Sequence, residues 1–261
     1  MKSIILILAS VLVSATSISG QEDFKVIKVN GTILLKAKGI SLETGTVFSE
    51  KEDLLFRTED ATAAVINSQK GRLVITSNSH NLSAAKPNSL PSMYNVSTRS
   101  TGYSGSIDPA SVFSGKLVIL HRQCVKLDKE DFPMDKEHFF FLRYDYKGEE
   151  INKKLDFSAD TLIIDKTNLL TVDGKPIPGP DNTSILLFYR KGNESVFISQ
   201  FELIFPDMKL ITKETEVILS EIKEKSSKDK IAEVGSYINE FYGKVLNADL
   251  EIWLGRSFGI K

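Results

Sequence analysis

Residues 184–201 read SILLFYRKGNESVFISQF, two apolar and aromatic runs joined by Lys191-Gly192-Asn193. Strand-forming runs that flank a Gly-Asn step are the short-range signature of a β-hairpin. The same signals recur on either side of it. KLVILHRQCVKL (116–127), HFFFLRYDY (138–146), TLIID (161–165) and LLTVD (169–173) read as strands, with turns at Lys147-Gly148 and Asp173-Gly174. Pro176, Pro178 and Pro180 mark a loop, because proline donates no ladder hydrogen bond. Further upstream, FKVIKV, TILLKA, LLFRT, ATAAVINS and RLVITS are bounded by Asn30-Gly31, Lys38-Gly39, Gly45, Glu59-Asp60 and Lys70-Gly71. Turns at this spacing predict a sandwich or small barrel.

After Pro206 the apolar period changes from 2 to 3.6. Thr212 is positioned to cap one helix, and a second is expected to begin near Ser227 or Asp229. Ile231, Val234, Ile238, Phe241, Tyr242 and Val245 form one stripe, expected to dock on the second β segment. Residues 250–258 suit a separate short helix. The expected fold class is therefore mainly β, two antiparallel β segments as sandwich or small barrel, with a C-terminal α-helical tail. The expected division is a signal peptide (1–20), an N-terminal β-domain (21–77), a Ser/Asn/Pro-rich linker or long loop (78–111), a second β segment (112–211) and the helical tail (212–261).

The opening residues, MKSIILILASVLVSATSISG, carry Lys2, an apolar run from Ile4 to Val13 and then small residues, the pattern of a secretory signal. The apolar run falls short of the roughly 20 residues a membrane helix needs. Export to the periplasm or medium is expected, with no stable membrane anchor after cleavage. The formal charge of −1 supplies no footprint for nucleic acid. Cys124 is the single cysteine, which rules out an internal disulfide, and no cysteine follows the apolar run to accept a lipid. Sequons stand at Asn30, Asn81, Asn95, Asn182 and Asn193.

Candidate chemistry is sparse. His121 and Cys124 are a potential base and nucleophile. On a single strand, positions three apart face opposite ways, so Cys124 reads as a packing residue. His80, His121, His138 and Cys124 are too scattered in sequence for a zinc set. Ser104 in TGYSGS lacks the spacing of a nucleophile elbow. Asp128, Glu130, Asp131 and Asp135 crowd one turn without the order of a calcium loop. Phe139, Phe140 and Phe141 offer either a ligand platform or a two-sided core, and three consecutive aromatics favour the core. No glycine loop for phosphate or dinucleotide is present. Catalytic, cofactor-binding and metal residues are accordingly expected to be none.

The apolar start before Asn30-Gly31, Leu42 with Gly45, Leu54-Leu55-Phe56 with Thr58, Ala63, Val65, and Gly71 before Leu73-Val74-Ile75 resemble the FecR-type envelope β-domain. That resemblance implies a β-fold working at the cell envelope. FecR-type proteins also carry a cytoplasmic domain and a membrane span, whereas only Met1, Lys2 and Ser3 precede the apolar run here, so a sigma-regulator role is not carried over. The overall order resembles uncharacterised exported proteins of Bacteroidetes-type bacteria. The expected function is a non-catalytic binding or accessory protein of the envelope, its partner an envelope protein or extracellular ligand. The alternatives are a secreted hydrolase or peptidase, drawing on His138 with a distant carboxylate, and a surface adhesin or matrix glycoprotein.

Overall fold

A computed structural model describes residues 23–78, 107–181 and 184–261. The signal-peptide reading of 1–20 and residues 79–106 of the 78–111 link lie outside the described residues. Among the described residues strands account for 42% and helices for 23%, so the protein is mainly β; the described sheets are open, with no closed barrel among them, and the chain ends in helices.

The first β unit holds β1 (Asp23–Asn30), β2 (Ile33–Leu35), β3 (Ile40–Ser41), β4 (Val47–Ser49), β5 (Leu54–Phe56), β6 (Thr62–Asn67) and β7 (Gly71–Thr76). One sheet runs β4-β1-β6-β7 and the other β3-β2-β5. Phe24, Val26, Ile33, Leu35, Phe48, Val65, Leu73 and Ile75 fill a core of their own. Alternation along the strands turns Lys25, Ala64, Ile66 and Arg72 to the opposite face. Their register confirms it, with Lys25 opposite Ile66 and Ile66 opposite Arg72. A bulge between Val26 and Lys28 adds Ile27 to that second face. Gly31 is required where it stands: its φ is +76°, and a Cβ there would lie 3.0 Å from that of Ala61.

The remainder comprises α1 (Pro109–Val112), β8 (Gly115–Val118), β9 (Arg122–Lys126), β10 (His138–Tyr146), β11 (Glu149–Lys154), β12 (Asp156–Ser158), β13 (Thr161–Asp165), α2 (Lys166–Leu169), β14 (Thr171–Val172), β15 (Lys175–Pro176), β16 (Ser184–Lys191), β17 (Glu194–Ile204), α3 (Met208–Glu221), α4 (Ser227–Phe241), β18 (Lys244–Val245) and α5 (Asn247–Phe258). Six strands form a sheet in the order β11-β10-β16-β17-β8-β18. β16 and β17 are the expected hairpin, with Lys191 opposite Glu194 and Gly192 at φ +60° in the turn. The inner face of this sheet packs Phe140, Leu142, Tyr144, Leu187, Tyr189 and Phe201 against Val125, Leu162 and Ile164 of the β12-β13-β9 sheet.

Residues 116–127, expected as one strand, form two. β8 joins the six-stranded sheet and β9 the three-stranded one. The buried carboxylate of Asp249 in α5 accepts the backbone N–H groups of Leu120 (2.7 Å), His121 (3.1 Å) and Arg122 (3.0 Å). Those amides close a corner instead of extending a ladder. Desolvation pushes the Asp249 carboxyl above the usual aspartate range, and the three amides oppose that push.

Asp207, rather than Thr212, caps α3, accepting from Lys209 N–H at 2.8 Å and Leu210 N–H at 3.2 Å. Ser226 caps α4 through Asp229 N–H at 3.2 Å. Gly243 follows at φ +133°, where a Cβ would lie 2.7 Å from the Lys116 carbonyl, so only glycine lets β18 approach β8. The tail does not dock on the second β segment alone. Ile211, Val217 and Ile218 of α3, Val234, Tyr237 and Ile238 of α4, and Leu250, Trp253 and Leu254 of α5 pack with Ile27, Ala64 and Ile66 of the first unit and Val118 and Leu120 of the second.

Charged side chains rim and thread this helical layer. Lys25 meets Ser220 (2.9 Å) and Glu221 (3.0 Å), and Arg72 binds Glu233 (2.8 Å), Ser236 (3.0 Å) and Glu240. Inside, Glu214 is fully buried, 3.3 Å from Lys28 Nζ and 2.6 Å from the Tyr242 hydroxyl that donates to it. Burial, reinforced by Glu214, raises the hydroxyls of Tyr237 and Tyr242 far above the tyrosine range and keeps both neutral. Removing one member of a buried ion pair strands the other. Lys28 keeps the Tyr242 hydroxyl at 2.8 Å and is 16% exposed, so Glu214→Leu is expected to cost about 1.5–3 kcal/mol in denaturant unfolding, and adding Lys28→Met should restore most of the loss. A Glu214→Leu protein as stable as the wild type would contradict this role.

Candidate functional site

The second unit turns its most unusual surface outward. Along β10 the side chains alternate: Phe140, Leu142 and Tyr144 enter the core, while Phe139, Phe141 and Arg143 face away from it. Register extends that outer row across the sheet. Phe141 lies opposite Lys154 and Phe188, Phe139 opposite Arg190, and Arg143 opposite Asn152. On the next strand Phe188 pairs with Phe197 and Arg190 with Ser195.

The rings form a continuous row. Phe139 and Phe141 are 6.4 Å apart, Phe141 stacks on Phe188 at 5.2 Å, and Phe188 meets Phe197 edge-on at 5.7 Å. Phe197 is 54% exposed, far more than a core aromatic requires. Cations lie on the row, with Lys154 Nζ 4.0 Å from the Phe139 centroid and the Arg143 guanidinium 4.6 Å from that of Phe188.

Beside these rings is an open groove of about 580 Å³ lined by Lys136, Glu137, Phe139, Phe141, Arg143, Asn152, Lys154 and Arg190, among others. Arg143 is held by Asn152 Oδ1 at 2.9 Å and Glu150 at 3.2 Å. Arg190 donates Nε–H to the Gly192 carbonyl (2.7 Å) and Nη1–H to Ser195 Oγ (3.2 Å). Among the described residues, Lys136, Lys154 and Arg190 make no ion pair with a carboxylate. Four cations thus line the groove beside one lining carboxylate, Glu137, in a chain whose net charge is −1. The geometry suits an anion.

The residues singled out in the sequence fall elsewhere. His121 sits exposed in the corner held by Asp249, with Nε2 against Arg256, and Cys124 lies half-buried on β9 opposite Ile163. His138 finds its carboxylate locally: Nδ1 is 3.0 Å from both oxygens of Asp135. The hydrogen bond with His138, then the N–H groups of Glu137 and His138, hold the Asp135 carboxyl below the usual aspartate range. Asp128 likewise accepts the Glu130 N–H at 2.8 Å, so both aspartates close turns. Among the described residues no three His, Cys, Asp or Glu side chains gather to hold a metal. Ser104 and His80 lie outside the described residues.

The triplet Phe139–Phe141 is two-sided as read, yet its outward pair belongs to a platform. Arg143, Lys154 and Arg190 escaped the sequence reading altogether, while Lys136 lies in the bend ahead of β10; the three are on β10, β11 and β16. Their signal is period two on three strands, and only the register assembles it. A second groove, about 880 Å³ between α4 and α5, is lined by Ile231, Ala232, Ile252 and Ile260 with Lys228, Glu251, Arg256 and Lys261, a set with no single chemical theme.

No family model, curated protein or solved structure matches the chain. The site therefore stands on its own geometry.

The corner at Asp249 separates scaffold from site. Asp249→Ala would leave three backbone N–H groups without their acceptor, and an unsatisfied buried donor costs about 1–3 kcal/mol. Of the three, the Leu120 amide is the buried one, so the expected outcome is a fall of about 1–3 kcal/mol in chemical unfolding, while Cys124→Ala costs about 1 kcal/mol or less. Equal stability of Asp249→Ala and wild type would contradict the role given to this carboxylate.

Proposed function

We propose that the protein is an exported, non-catalytic binding or accessory component of the cell envelope, and that the outer face of its six-stranded sheet is the binding surface. The observation that carries this reading is the row Phe139, Phe141, Phe188 and Phe197 with Lys136, Arg143, Lys154 and Arg190 around it. Sheet faces left to water are ordinarily covered with mixed polar side chains. Four aromatic rings, with Phe141 buried among its neighbours and Phe197 open to water, and four cations concentrated on one such face favour recognition of a ligand. The apolar run that follows Lys2, and the likeness of residues 26–76 to the FecR-type β-domain, support the placement in the envelope.

Cosedimentation tests the reading. Purified wild-type protein, mixed with an envelope fraction from the organism that makes it, should pellet with that fraction. The double variant Phe197→Glu/Arg190→Glu should remain mostly in the supernatant, at least about tenfold less bound, the equivalent of losing about 1.4 kcal/mol. Equal retention of the two proteins would overturn the assignment of this face. Turnover of ester, glycoside or peptide substrates by the wild type would favour a hydrolase instead.

A further inference from the structure

The ligand's chemistry can be read from the walls of the groove. Resting on the binding role proposed for this face, we infer that the groove around Phe139 takes an acidic polysaccharide, with sugar carboxylates or sulfates at Lys136, Lys154 and Arg190.

Charge makes the first selection. Lys154 and Arg190 stand opposite Phe141 and Phe139, so the two cations flank the ring of Phe139 on neighbouring strands. The Arg190 guanidinium is fixed by the Gly192 carbonyl and Ser195 Oγ, and among the described residues no carboxylate pairs with it. A guanidinium held in place while its charge is uncompensated is set to bind an oxyanion, since little freedom is lost when the anion arrives. Cations distributed over three elements suit charges repeated along a chain better than a single compact ion.

Ring geometry makes the second. Lys154 and Arg143 occupy the space over Phe139 and Phe188, so a nucleobase would find cations where it needs a bare ring face. Phe141 and Phe188 are stacked on each other with an interplanar angle of 10°. The ring left most open is Phe197, at the margin of the row. Sugar C–H faces can pack on ring edges and on the exposed ring while the charged groups reach the cations.

Hydrogen-bond stock makes the third. The groove is rich in donors, from Lys136, Arg143, Lys154 and Arg190, and poor in acceptors, chiefly Glu137 and the Asn152 oxygen already used by Arg143. A polypeptide would bring backbone N–H groups that need acceptors. Sugar hydroxyls accept as readily as they donate, and donor-rich walls satisfy them. A bilayer is disfavoured by shape, because the cations line a concavity on a sheet face instead of rimming a protruding apolar tip.

The test uses the whole protein and defined polymers. Affinity electrophoresis and calorimetry with polygalacturonate (carboxylate) and dextran sulfate (sulfate) should show binding at low salt that weakens as salt screens the charges, with neutral dextran inert. Preference between the two polymers identifies the anionic group. Lys154→Gln/Arg190→Gln should lower affinity at least about tenfold. Glu137→Gln, which removes the one lining carboxylate, should raise it about two- to threefold. That gain cannot arise from misfolding. Failure of both acidic polymers to bind, equal binding of neutral dextran, or preferential binding of polyglutamate, single-stranded DNA or phosphatidylglycerol vesicles would overturn the ligand class. If envelope cosedimentation persists while the acidic polysaccharides fail, the binding role survives and only the ligand class falls. Loss of both removes the role as well.

Discussion

Glu214 is carried into the interior by α3, and Lys28 from β1 and Tyr242 beyond α4 must both reach it for the helical layer to close. A carboxylate removed from water is tolerated only when its charge and lone pairs are met. Because the partners come from the first β unit and from the far side of the helical tail, satisfying this one group fixes how the tail sits on the sheet. Arg72 repeats the arrangement with Glu233, Ser236 and Glu240, and Lys25 with Ser220 and Glu221. The apolar contacts of Ile27, Ala64 and Ile66 with the helices supply attraction without direction. The polar contacts supply the alignment.

That closure leaves the sheet of the second unit with two different faces. One is committed to the core with Val125, Leu162 and Ile164, and at its β8 end Val118 and Leu120 turn to the helices. The opposite face at β10, β11 and the β16–β17 hairpin carries the Phe row and the cations. The same strand β10 thus builds core with Phe140 and groove with Phe139 and Phe141. The β16–β17 hairpin beside it holds Arg190 through the Gly192 carbonyl and Ser195 Oγ.

Legibility in the sequence followed the range of the determining interaction. The β16–β17 hairpin was readable because Gly192 sits between its own two strands, and the start of α4 because Ser226 and Asp229 are three residues apart. The start of α3 was misread at Thr212, since Pro206-Asp207 resembles a loop until the Asp207 side chain is seen on two amides. The break between β8 and β9 was invisible, because its cause, Asp249, lies in α5. The docking of the tail on both units was missed for the same reason. Of the groove, the sequence offered only the Phe triplet. Its cations became a site through pairings of Phe139 with Arg190 and Phe141 with Lys154, which local pattern does not encode.

The claim on which everything else rests is that the two β units and the helical layer are one cooperative body. Trp253, buried in that layer beside Phe258, reports on the layer itself. Equilibrium unfolding followed by Trp253 emission, with hydrogen exchange read at amides of β1 and of β16 across the same denaturant series, measures the three parts together. A single coincident transition, with β1 and β16 amides losing protection as the Trp253 emission shifts red, is the result this structure predicts. Separate midpoints for β1 and β16, or a Trp253 transition that precedes both, would contradict it.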